Sequence, residues 1–250
     1  MMQKGVLLYC FDTSETKYHA ILTRCVQLIK SNLRLPITVV TDKETHRHLG
    51  SLDSVDYKFI EPEKGNTKNG KQWHNADRHM SYDLSPYETT LVMDIDYFPF
   101  TDNLRRFMDT QYDFLVAKDA YDLSGRNSFD KRRYSMIDMV WATVLVFRKT
   151  EKAKKIFEMV KYVKKFYPYF NEIYRIYSKN FRNDYAFAIA LEQINGFMEY
   201  ATLPIQLPTL PPDCKILSIS DKGLAWQGDG KIMHTVGQDV HVLNKELADV

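Results

Sequence analysis

The sequence predicts an α/β protein with a mixed, mostly parallel central sheet flanked by helices, folded as a single domain over residues 1–250. Three observations lead there. Short apolar runs such as "GVLLYCF" (5–11) and "PITVVTD" (36–42) have the length and continuity of strands buried on both faces. Segments with helical spacing alternate with them, so strand–helix–strand fits into about forty residues as a βαβ unit. At 250 residues and 44% hydrophobic content, the chain can bury a substantial core without metal or disulfide staples.

Taken in order, the first strand ends in the turn-prone "DTSETK". "YHAILTRCVQLIKSN" repeats Ile21, Leu22, Cys25, Val26, Leu28 and Ile29 at helical spacing. The second strand, 36–42, is led by a proline at the position a strand tolerates. "SVDYKFIEP" supplies a third strand, followed by the polar loop "EKGNTKNGKQ" (63–72). "HNADRHMSYDL" reads as helix, "SPYE" as the turn into "TTLVMDID", and "YDFLVAKD" and "MVWATVLVFRK" as further strands. Thr150 caps the helix "TEKAKKIFEMVKYVKKFY", and Asn183 caps "NDYAFAIALEQING", which ends near Gly196. "ATLPIQLPTLPPDC" (201–214) reads as an extended connector. "KIMHTVG" is the expected final strand, before the tail "QDVHVLNKELADV".

Composition narrows the class. Charged residues make up 26% of the chain, with a formal net charge of +2. Cys10, Cys25 and Cys214 are too far apart, and odd in number, for a disulfide framework or a zinc site. No apolar stretch approaches the ~20 residues of a membrane span, and the N-terminal run is too short for a signal peptide. A soluble, cytoplasmic protein is expected. The net charge hides an asymmetry: residues 126–182 hold fifteen lysines and arginines against five acids. Such a block favours a polyanionic partner.

The chemistry centres on "TTLVMDIDYFPF" (89–100), where two acids interrupt an apolar run. Ionised carboxylates are costly to bury unless paired or metal-bound. Residues i and i+2 of a strand share a side, so Asp94 and Asp96 converge. They do so at a strand's carboxyl end, where open α/β sheets bind ligands. Two oxygen donors there suit Mg²⁺ or Mn²⁺. The alternative is two acids turning into solvent.

The stretch "WHNADRHMSYDLSPYETTLVMDID", with "FDT", "VVTD", "VWATVLVF", "RNDYAFAIALEQING" and a C-terminal histidine segment, resembles the GT-A, Rossmann-type nucleotide-sugar glycosyltransferases. Within that group it is similar to glycosyltransferase family 8 and to glycosyltransferase-like proteins of tailed phages. The resemblance implies a donor half over 1–100 ending in D-x-D, and an acceptor half with a metal-histidine segment over 101–250. It implies a metal-dependent transfer of sugar from a nucleotide-diphosphate donor, UDP-sugar favoured, to an acceptor hydroxyl. Asp94 and Asp96 would hold the metal, Asp94 also lying near the ribose. A C-terminal histidine would join them: His234 in "HTVG", which lacks the Lys-Pro-Trp that follows in family 8, or His241 in "DVHVLNK". The Asp-x-His context, with Lys245 placed to neutralise the diphosphate, favours His241.

Further roles follow from the resemblance. Phe11, Asp12 and Thr13 match the loop that receives the base, and Thr41 and Asp42 would face the same crevice. Asn75, Asp77 and Arg78 match a helix that contacts the donor. Arg78 either holds diphosphate or sugar, or pairs with Asp77 or Asp83. Trp141, Ala142 and Thr143 lie where the family places small polar residues near the sugar, and Trp141 is either core or pocket wall. Asp184 matches an acid at the acceptor or reacting sugar, although a first-turn acid also suits the helix dipole. The basic segment with its interleaved aromatics, together with "GRNSFDKRRYS" (125–135), fits a nucleic-acid backbone. Phages with such enzymes glycosylate hydroxymethylated cytosine, so DNA in an infected bacterial cytoplasm is the favoured acceptor. A glycan, lipid or protein acceptor, or a catalytically silent nucleotide-sugar or polyanion-binding module, is the alternative.

Overall fold

The computed structural model describes residues 3–62, 67–68, 71–72, 75–126, 135–176, 178 and 180–244, with backbone alone at 67–68, 71–72 and 75–76. The chain opens with β1 (Lys4–Cys10), α1 (Tyr18–Leu28), β2 (Ile37–Thr41), α2 (Lys43–Leu49) and β3 (Val55–Phe59). A small ladder of β4 (Thr67–Lys68) and β5 (Lys71–Gln72) follows. Residues Asn75–Met80 form a 3₁₀ turn that runs into α3 (Ser81–Leu84). Next come β6 (Thr89–Met93), β7 (Tyr97–Phe98), β8 (Phe114–Asp122) and β9 (Trp141–Arg148). The helices α4 (Glu151–Lys165), α5 (Tyr167–Ile173) and α6 (Asn183–Ile194) precede β10 (Leu203–Leu210). The last described elements are β11 (Lys215–Ser220), β12 (Gly223–Gly228), β13 (Lys231–Val236) and β14 (Val240–Val242).

Nine strands form one sheet in the order β3-β2-β1-β6-β9-β8-β10-β14-β7. Five of its pairings are parallel; β6–β9, β8–β9 and β7–β14 are antiparallel. The mixed, mostly parallel α/β sheet is the architecture the apolar runs predict. β2 and β6 are buried along their whole lengths, as covered strands must be. Register explains where a site can form. Cys10 pairs with Thr41 and Leu8 with Met93, so β1, β2 and β6 end on one edge. Because β9 runs the other way, with Met93 opposite Val144, its first residues reach that same edge. The layer behind the sheet is sealed by α4, whose Ala153, Ile156, Phe157, Val160 and Val163 are buried. Phe157 packs edge-on against Phe147 and Phe187, with centroids 4.9 and 5.6 Å away.

Four local expectations change. The stretch 201–214 is no mere connector: Leu203–Leu210 is an interior strand between β8 and β14. Pro204 falls within a register irregularity between Leu203 and Gln206, while Pro208 keeps its register opposite Tyr121. "KIMHTVG" is not the last strand; β13 closes a separate antiparallel sheet, β11-β12-β13, and β14 follows it. The helix expected at "HNADRHMSYDL" is mostly 3₁₀, with one α turn. Finally, Asn183 lies inside α6, and the cap position falls to Arg182 with no side-chain cap hydrogen bond. Thr150 does cap α4, accepting from the Ala153 N–H at 3.3 Å.

Candidate metal and donor site

The strand β6 stops at Met93, and the backbone turns, with the Tyr97 N–H donating to the Asp94 carbonyl at 3.1 Å. Asp94 stays tied to the sheet by its own N–H on the Thr143 carbonyl, 2.9 Å. The two acids therefore meet through a turn rather than through strand alternation. The short strand β7 then zips antiparallel to β14, setting His241 opposite Tyr97. The Val242 N–H closes the junction on the Asp96 carbonyl at 2.8 Å. One ligand atom from each of Asp94, Asp96 and His241 lies within 4.8 Å of the others. Asp96 and His241 are buried, and Asp94 is partly exposed. His241 Nε2 stands 3.5 Å from Asp96 Oδ1, long for a hydrogen bond. That separation suits two ligands of one cation, and two carboxylates with an imidazole are a donor set Mn²⁺ and Mg²⁺ accept. Trp141 presents itself edge-on to His241, ring centroids 6.0 Å apart, and walls that side.

Arg78 organises the other side. Only 1% exposed, it donates to the Asp94 carboxylate and to the Ala142 carbonyl. Its partner is Asp94, rather than the nearby acids of its own segment. Asp77 instead takes Lys164 Nζ at 2.8 Å, so Lys164 is drawn off the solvated lysine face. The N–H of Ala142 donates to Asp184 Oδ1 at 3.1 Å, and Asp184 Oδ2 accepts from Arg182 at 2.7 Å. The Asp184 carboxylate beside it is the main reason Arg182 is held more firmly protonated than usual. A chain of contacts thus runs Arg182–Asp184–Ala142–Arg78–Asp94, fixing the start of β9 against the metal cluster. Thr143, the next residue of β9, is buried.

The loop that follows β1 leaves the same edge. Phe11 is buried, and Thr13 Oγ1 accepts from the Thr16 N–H at 3.0 Å in a tight turn. Asp12 binds two histidines that the sequence reading passed over, His19 and His48. Only their separate places beside α1 and α2 hinted at it, and no spacing rule joins them. Thr41 is fully buried at the end of β2, and Asp42 caps α2 through the Thr45 N–H at 2.7 Å. Asn75 opens the 3₁₀ turn, and nothing of its side chain is described. His234 sits on β13 opposite Ala225 and is not in the Asp94–Asp96–His241 group. Lys245 falls outside the described residues, as does most of the basic loop 125–135. The three thiols are buried, and burial pushes those of Cys10 and Cys25 far above their ordinary range, which disfavours the thiolate.

No protein-family model matches the sequence, and no curated protein matches it. Solved structures do match in three dimensions. An active-site mutant of LgtC superposes at TM-score 0.52 and 17% identity, covering 75% of this chain and 69% of its own. The galactosyltransferase LgtC in complex with donor and acceptor sugar analogues gives TM-score 0.52 at 16% identity, covering 75% and 70%. This chain has the GT-A glycosyltransferase fold. Among the described residues, no helix is long and apolar enough to cross a membrane.

Proposed function

We propose that the chain is a divalent-cation-dependent glycosyltransferase, moving a sugar from a nucleotide-diphosphate sugar, a UDP-sugar by preference, to an acceptor hydroxyl. One observation carries the reading: Asp94, Asp96 and His241 converge at the ligand edge of a glycosyltransferase fold. Bound by these three side chains, Mn²⁺ or Mg²⁺ supplies the charge that stabilises a departing diphosphate. The protein's own residues do the holding. Arg78 fixes the Asp94 carboxylate and leaves a guanidinium near the donor phosphates. Trp141 shields His241 and, with Ala142 and Thr143, walls the sugar. Asp184, bound to Arg182 and to the Ala142 N–H, acts as a positioning residue for that wall. Phe11, Asp12, Thr13, Thr41 and Asp42 line the base side, Asn75 and Asp77 the donor side, and Lys245 pairs with the diphosphate. Residues 1–100 and 101–250 form the donor and acceptor halves of a single domain.

The acceptor we favour is hydroxymethylated cytosine in DNA, on a specific observation. Along α4, α5 and the residue that joins them, Lys161 and Lys165 are exposed, as are Tyr162, Phe166 and Tyr169 at 51%, 39% and 61%. Cations beside exposed rings are a surface for backbone and bases.

A ligand that binds only the native state raises its melting point. With Mn²⁺ present, a UDP-sugar should raise the Tm by several degrees, as expected for about 2.7 kcal/mol at a hundredfold excess over Kd. Asp96→Asn should abolish that shift, and cut cation-dependent release of sugar from the donor by at least ~100-fold. Activity that persists without divalent cations would overturn the reading.

A further inference from the structure

A second group of metal-ligating side chains lies at the same edge, on the far side of β1. Asp12, His19 and His48 bring one ligand atom each within 4.8 Å of one another. The fold makes this meeting unavoidable. Cys10 and Thr41 are register partners on parallel strands, so the loops after them leave side by side. The first turn of α1 delivers His19, and the last turn of α2 delivers His48. Asp12 is held at three points: its N–H donates to Thr45 Oγ1 at 2.8 Å, its Oδ1 accepts the His19 N–H at 2.9 Å, and its Oδ2 receives both rings. His19 Nδ1 lies 2.6 Å and His48 Nδ1 3.0 Å from that oxygen. The two rings are 5.3 Å apart and tilted by 49°.

Two imidazole nitrogens aimed at one carboxylate oxygen need two protons to bond it. One small cation replaces both, each ring then carrying its proton on Nε2. We propose that Asp12, His19 and His48 form a binding site for a first-row transition cation of the zinc class, distinct from the Asp94–Asp96–His241 cluster. The donor sets separate the two: two imidazoles with one carboxylate favour Zn²⁺ or Co²⁺, while two carboxylates with one imidazole favour Mn²⁺ or Mg²⁺. Three protein ligands leave a position open, as zinc sites that accept a further ligand do. Zinc bonds of about 2.0–2.2 Å put neighbouring ligand atoms about 3.3 Å apart, so the His48 contact opens by about 0.3 Å and the His19 contact by about 0.7 Å. His48, 52% exposed in its side chain, has room to move. Occupied, the site pins the 11–17 loop to α2.

Co²⁺ reports the site directly, because four-coordinate nitrogen-containing sites absorb strongly in the visible and six-coordinate oxygen-rich sites weakly. Titration of the full-length protein with Co²⁺ should develop the strong band with one equivalent, and Zn²⁺ should bleach it. His48→Ala should weaken that equivalent roughly tenfold or more. His19→Ala combined with His48→Ala should remove it and lower the total stoichiometry by one. Both histidine side chains are partly exposed, and an unchanged metal-free Tm establishes that the variants fold. Asp96→Asn should leave the band in place, so the result stands or falls apart from the transferase reading. A band absent from the wild type, or kept by the double variant, overturns the proposal.

Discussion

At the scale of single residues, Arg78 has the most consequential position. Its guanidinium spans a carboxylate and a backbone carbonyl, a bridge that a lysine ammonium cannot reproduce. Arg78→Lys should therefore cost about 1–3 kcal/mol in chemical denaturation at unchanged m-value, one acceptor being left unsatisfied. Arg78→Ala should cost more, about 2–4 kcal/mol, because it removes the buried cation beside the partly exposed Asp94 carboxylate and leaves the Ala142 carbonyl without that donor. An Arg78→Lys variant as stable as the wild type would show that the bridge is irrelevant. Asp239 offers a test by pH. Burial raises its carboxyl to about 6, against the pull of two hydrogen bonds from Thr101, 2.8 Å each. A raised acid favours the protonated folded state. Its stabilisation is thus complete below the ordinary carboxyl range and is lost as pH rises through about 6. An elevation of that size corresponds to about 3 kcal/mol. Asp239→Asn keeps the acceptor oxygen and should flatten that loss, raising the Tm at neutral pH. A variant with the wild-type pH profile would remove Asp239 as its source.

At the scale of elements, the strands were legible because burial on both faces writes itself as unbroken apolar runs. β1, β2, β6 and β9 all answer to that signal. β10 was not legible, because Pro204 and Pro208 argue against an interior strand; the irregular register to β8 reconciles Pro204 with one, and Pro208 sits in the regular ladder opposite Tyr121. Strand alternation predicts the D-x-D as an acid pair. It is an acid pair by a turn, and His241 is brought beside it by two residues of β7 pairing with β14, a long-range contact no local spacing encodes. Alternation predicts that the two acids meet, and they do meet, for a reason other than the one it supplies. The far end of β1 shows how tight the sheet's packing is. Gly5 of β1 faces the ring of Tyr87, and a Cβ there would sit 2.3 Å from it. Tyr87 is buried and held by Thr38 through a 2.8 Å hydroxyl contact, so the ring has nowhere to swing. Gly5→Ala should cost about 1–3 kcal/mol, the usual penalty of overpacking, measurable as a fall of several degrees in Tm. An unchanged Tm would mean that β1 shifts freely against β6.

At the scale of the whole molecule, charge asymmetry was legible and its use was only half so. The block 126–182 is as basic as its composition says, yet the fold uses part of it internally. Lys164 goes to Asp77, Arg182 to Asp184, and Arg126 forms a two-pronged pair with Asp213 at 2.7 Å. What is left on the α4–α5 surface is smaller and better defined. Lys161 and Lys165 flank Tyr162 and Phe166, whose centroids are 4.8 Å apart, and Lys165 Nζ lies 5.2 Å from the Phe166 ring centre. If this surface carries a DNA acceptor, each lysine that neutralises one phosphate contributes about 0.9 to the slope of log affinity against log salt. Lys161→Gln with Lys165→Gln should then lower that slope by about two, read by fluorescence anisotropy on hydroxymethylated duplexes over a salt series. Tyr162→Ala and Phe166→Ala should weaken binding with the slope unchanged, because stacking releases no counterions. Lys164 is left intact in this series, since its loss would disturb Asp77 beside the donor site. A protein that binds no DNA at low salt, or whose slope ignores both lysines, has its acceptor elsewhere, and the basic face is then solvation alone.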